Sequence, residues 1–146
     1  MRRVCLLPRA ARRWQAFTPV VAACALVFLT ACSAGEETHV PTLTEGTVRV
    51  MTREQQLVDV STTEPIKLGK NDLLVTFPPP LAAELVRASA LMPAHGHGSK
   101  PPTIERTEEG YRVRDLVFYM SGRWEVRFGI RAGEREDEAL LTVDVP

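Results

Sequence analysis

From Thr47 to the end of the chain, apolar and polar residues alternate in short runs. This is the period of strands buried on one face. Thr47-Val48-Arg49-Val50-Met51 alternates, and Leu57-Val58-Asp59-Val60 is short and β-branched. Asp72-Leu73-Leu74-Val75-Thr76-Phe77 is a fuller apolar run, stopped by Pro78-Pro79-Pro80. Residues 86–91 read as the next strand, although Leu81-Ala82-Ala83-Glu84-Leu85-Val86-Arg87 also fits a helical turn or two. Tyr111 and Val113 face one way with Arg112 and Arg114 opposite. Trp124, Val126, Phe128 and Ile130 form an alternating set against Glu125, Arg127 and Arg131. Ala139 to Val145 is the last strand. Gly110, Ser121-Gly122 and Ala132-Gly133 mark turns. The parity of apolar positions flips between Val113 and Leu116, which predicts a bend or bulge near Asp115.

Short strands with turns at regular spacing and little helix predict an all-β fold, an immunoglobulin-like β-sandwich of about seven strands. Its expected core holds Leu74, Phe77, Val86, Tyr111, Val113, Phe118, Trp124, Val126, Phe128, Leu141 and Val143. Before it, residues 33–46 are polar and contain Pro41, with no apolar period to fold around, and read as a flexible tether. The domain is then residues 47–146.

The first thirty-one residues differ in kind. Arg2, Arg3, Arg9, Arg12 and Arg13 precede an apolar run from Val20 to Leu29, and no acidic residue occurs before Glu36. A basic start, a short apolar stretch and small residues before a cut site describe a secretory signal. The run falls short of the ~20 apolar residues of a membrane-spanning helix. Its end, Leu29-Thr30-Ala31-Cys32, resembles the lipobox of bacterial lipoproteins. That resemblance implies cleavage before Cys32, acylation of its thiol and of the new N-terminus, and anchoring to a membrane through several acyl chains. Ser33, rather than Asp, follows the cysteine, which by analogy with Gram-negative lipoproteins implies the outer membrane, facing the periplasm. The residues around Arg12-Arg13 do not support a twin-arginine route. The alternative is an ordinary signal peptide with a chance cysteine.

Cleavage would remove Cys5 and Cys24, and lipid would occupy Cys32, so the mature chain has no disulfide, thiolate metal site or cysteine nucleophile. It also changes the charge. The whole chain is neutral, but the signal holds five of the eighteen basic residues and none of the eighteen acidic ones, leaving the mature part at −5. That argues against a nucleic-acid partner, which wants a basic face.

One stretch is not plain sandwich: Leu91-Met92-Pro93-Ala94-His95-Gly96-His97-Gly98-Ser99-Lys100-Pro101-Pro102. Its glycines and prolines make a loop. In an extended segment residues i and i+2 point to the same side, with alpha carbons ~6.5 Å apart, so His95 and His97 can converge on one ion across Gly96. Imidazole suits copper, zinc and nickel, and thioether sulfur selects Cu(I). Met92 and Met120 are the candidate thioether ligands, Met120 from the turn after Val117-Phe118-Tyr119. The bland alternatives are a solvated loop for the histidines and core or edge-of-core positions for the methionines. Two histidines are too few for a closed zinc site, which takes four ligands. Trp124 and Tyr111 read as core, His39 as part of the tether, and Lys100 and Glu108-Glu109 as solvated loop charges.

The order Met92-Pro93-x-His95-Gly96-His97-Gly98, then Gly110-Tyr111, then Phe118-Tyr119-Met120-Ser121-Gly122-Arg123-Trp124-Glu125-Val126 resembles the YtkA-like domain family. It is also similar to FixH-type proteins associated with cytochrome oxidase assembly. The resemblance covers about residues 70–145 and implies a β-sandwich on the outer side of the inner membrane, often near copper-handling systems. The family pattern commonly has Met where this chain has His95; the exchange makes a mixed His/Met site, less selective for Cu(I).

No enzyme is expected. Ser99 near the histidines matches no triad geometry, and no phosphate-binding loop, dinucleotide fingerprint or zinc-protease motif is present. Two functions stay open: a copper-binding envelope lipoprotein using His95, His97, Met92 and Met120, or a non-catalytic immunoglobulin-like module docking to another envelope protein.

Overall fold

The computed structural model describes residues 40–146. The signal segment, Cys32 and His39 lie outside the described residues. Ten strands follow one another: β1 (Thr42–Leu43), β2 (Gly46–Met51), β3 (Leu57–Thr62), β4 (Gly69–Thr76), β5 (Glu84–Met92), β6 (His97–Gly98), β7 (Thr103–Arg106), β8 (Tyr111–Phe118), β9 (Gly122–Ala132) and β10 (Arg135–Val145). Among the described residues no helix is long and apolar enough to cross a membrane.

The strands form two five-stranded sheets, ordered β1-β10-β9-β5-β6 and β2-β3-β4-β8-β7. Within them β3-β4-β8-β7 and β5-β9-β10 reproduce the four-plus-three arrangement of the immunoglobulin constant-type sandwich, with β1, β2 and β6 added. Every pairing is antiparallel except that of β1 with β10. Among the described residues the strand count is thus ten rather than about seven. The additions include two-residue strands too short to carry a readable period, and β7, Thr-Ile-Glu-Arg, has only one apolar residue.

The core is the set of inward positions of both sheets. Trp124, Phe118, Phe128, Leu73, Leu116, Ile130 and Leu141 are fully buried. Each such side chain contributes roughly 1.5–3 kcal/mol by leaving water. Phe118 and Trp124 stack at a tilt, with ring centroids 5.3 Å apart. The predicted bulge lies at Asp115: Asn71 faces Leu116 and Leu73 faces Val113, so Arg114-Asp115 stand against Asp72 alone. Asp115 takes φ 58°, and its N–H donates to the Asp72 carboxylate at 3.1 Å. The extra residue resets the parity, which is why Val113 and Leu116 both point inward.

Four expectations change. Leu73, not Leu74, is buried, and Val75 continues its face. Phe77 lies past the end of β4, half-buried, edge-on to Tyr111 at 5.8 Å. Val86 is 37% exposed while Leu85 is 5%. The β5–β9 register shifts between Leu85 and Arg87, so Val86 is the extra residue of a bulge. Finally, the sandwich takes in the last residues read as tether. Leu43 is 1% exposed in the core, where Thr42 and Leu43 pair with Thr142 and Val143. A single apolar residue sets no period, so nothing in the pattern marks it.

Candidate functional site

β5 ends in a tight hairpin. Pro93 has its φ fixed for the first corner of a turn, and the Met92 carbonyl accepts from the His95 N–H at 3.2 Å and the Gly96 N–H at 2.9 Å. Gly96, at φ 66°, turns the chain back. β6 then places His97 directly opposite Met92 and Gly98 opposite Leu91. The Ser99 N–H closes the ribbon on the Ala90 carbonyl at 2.8 Å.

Directly opposed residues project from the same face of a ribbon. Met92 follows Ala88 and Ala90 on the inward face and is 5% exposed, so His97 also points to that side. It is exposed, on the two-residue edge strand of its sheet. His95 is exposed on the turn, and its ring lies 6.3 Å from that of His97, the two planes within 15° of parallel. The histidines are therefore neighbours, but not as successive same-side residues of an extended segment: His95 is in the turn, and the left-handed Gly96 brings the rings together.

Met120 reaches this end of the sandwich on another element. It lies two residues past the end of β8, packs half-buried against the core, and its carbonyl accepts from the Trp124 indole N–H at 3.0 Å. The turn it begins comes up against the hairpin at Gly122, where an added Cβ would stand 2.6 Å from the Met92 Cε. So Met92, His95 and His97 share one hairpin, and Met120 sits on the adjoining turn. The close approach of Gly122 to Met92 is invisible in the sequence, which marks Ser121-Gly122 only as a turn.

The donors at this rim are two imidazoles and a thioether. Among the described residues no three His, Cys, Asp or Glu side chains gather as a metal group. Two imidazole nitrogens and a thioether sulfur are donor types that copper accepts, the sulfur suiting Cu(I). The Ser99 hydroxyl donates to the Lys100 carbonyl at 3.0 Å, not to a histidine.

Elsewhere the outer face of the β10-β9-β5 sheet carries a groove of about 550 Å³ over Gly129. Its charges are spent on one another. Glu138 is approached by Arg53 at 2.7 Å, Arg87 at 3.6 Å and Arg127 at 3.8 Å. On the same face Arg123 grips Asp144 at 2.9 and 3.1 Å and holds its carboxyl below the usual range. Leu68 and Tyr119, each 50% exposed, flank the Gly69–Phe118 pair that ends the β4–β8 ladder.

Comparison with known proteins finds no matching protein-family model, no matching curated protein and no matching solved structure.

Proposed function

We propose that this is a lipid-anchored envelope protein whose sandwich holds copper at one rim, through His95 and His97 with Met92, and with Met120 on the adjoining turn. The observation that carries the reading is the hairpin register: Met92 faces His97, with the His95 ring 6.3 Å from that of His97. The likeness of the loop and turn residues to YtkA-like domains points the same way. Bound there, copper would supply a one-electron couple or a transferable soft ion. The chain places two exposed imidazoles on the hairpin and the buried Met92 opposite His97. Imidazole must be neutral to ligate, so protons compete with the ion and acid should release it.

The test is a competition titration of the full detergent-solubilised chain with Cu(I) and Cu(II). Affinity tighter than micromolar, lost in the His95→Ala/His97→Ala double variant, is the expected result. Weaker binding, or binding indifferent to both substitutions, sinks the reading. The anchor is tested separately: Cys32→Ala should release the chain from membranes and abolish the added acyl mass.

A second reading, a non-catalytic module that docks to another envelope protein, is favoured by the exposed Leu68 and Tyr119 beside this rim. A Leu68→Ser/Tyr119→Ser variant that loses an envelope crosslink while keeping its copper affinity would favour it.

A further inference from the structure

We propose that Gly122 is the positioning residue for the Met92 thioether and thereby sets the rim's preference for a soft monovalent ion. The inference rests on His95, His97 and Met92 being the donors.

The Met92 Cε lies 2.6 Å from where a Cβ on Gly122 would be. No real Cβ sits that close to a carbon. The glycine therefore opens the space that the methyl of the thioether occupies. Its φ of 122° is also a conformation that residues with a Cβ rarely adopt. The turn is tied at three points. Gly122 is paired with Val145 at the end of the β9–β10 ladder. The Trp124 indole ties the Met120 carbonyl at 3.0 Å, and the Ser121 hydroxyl donates to the Pro146 carbonyl at 2.6 Å. Met92, by contrast, is unbranched and adaptable. A methyl group added at residue 122 would displace the far end of Met92 and also strain the backbone of the turn. The two imidazoles, on exposed β6 and its turn, are not touched by this contact. Imidazole alone takes borderline ions such as Cu(II), whereas the thioether selects soft Cu(I) or Ag(I). Moving the sulfur should therefore change the ratio of affinities for the two kinds of ion.

The experiment uses the full chain with Ag(I) as a redox-inert soft probe and Cu(II) as the borderline one, comparing wild type, Gly122→Ala and Met92→Leu. Both variants should lose about tenfold in Ag(I) affinity, the size of effect typical when a ligand or its support is removed, and a clearly smaller factor in Cu(II) affinity. Met92→Leu conserves volume and leaves Gly122 alone, so it isolates the sulfur from any backbone strain. In wild type with labelled methionine methyls, a nuclear Overhauser effect should join the Met92 methyl to the Gly122 α-protons. Absence of that effect, an unchanged Ag(I) affinity in Gly122→Ala or Met92→Leu, or an equal loss of both ions in Gly122→Ala overturns the assignment. A wild-type chain that binds neither ion fails the copper reading itself, before Gly122 is at issue.

Discussion

The indole N–H of Trp124 donates to the carbonyl of Met120 at 3.0 Å, so the largest buried side chain of the core also fastens the turn beside the candidate site. Trp124→Phe would leave that carbonyl without its partner and a gap beside Phe118. The expected loss is about 2–3 kcal/mol, combining an unmade hydrogen bond with lost packing. Urea unfolding of the full chain, followed by circular dichroism, measures it.

The bulge in β5 makes a sharper test, because adjacent residues have opposite fates. Leu85→Ala should destabilise by about 2–4 kcal/mol as a core truncation. Val86→Ala should stay within about 0.5 kcal/mol, as surface substitutions do. Urea midpoints of the two variants, at equal slope, decide it. Equal losses would mean that Val86 packs inward and that the bulge is misplaced.

Acid should weaken the fold through two carboxylates. Arg49 holds the Asp59 carboxyl below its usual range by hydrogen bonds of 2.7 and 2.9 Å, and Arg123 does the same for Asp144. A carboxyl whose pKa is depressed in the folded state contributes stability above its unfolded pKa of about 3.9, and loses it as pH falls through the folded value. Stability should therefore fall below about pH 4. Asp59→Asn should lose less than wild type between pH 6 and pH 3. At pH 6 it should cost little, because the pair is open to solvent and screened. Urea midpoints at the two pH values check both statements.

Much of the architecture could be read from alternation alone, most clearly in Trp124-Val126-Phe128-Ile130, where the strand is long and central. The Asp115 bulge was legible because two well-defined apolar faces, ending at Val113 and beginning at Leu116, are out of phase. The Val86 bulge was not, because Leu85, Val86, Ala88 and Ala90 offer apolar residues in either phase. Leu73 and Leu74 are ambiguous for the same reason: two adjacent leucines fit both parities, and only pairing with β8 decides between them. At the candidate site the sequence marked the residue types but not their relation. Met92 and His97 are brought together by strand register, and Met92 and Gly122 by the meeting of two turns, neither of which has a local signature.

The two long sides of the sandwich are not fastened alike. On one, the Thr52–Ala139 bridge and the Arg53 N–H on the Glu138 carbonyl at 3.2 Å stitch the sheets together, and residues 44–45 cross directly from β1 to β2. On the other, β5 is flanked only by the two-residue β6 before the chain passes over to β7. Thermal opening follows the side with fewer backbone bonds, so the molecule should part like a book hinged at β10 and β2. The hairpin bearing Met92, His95 and His97 lies on its free edge, so its backbone amides should exchange with solvent well before those of β9 and β10.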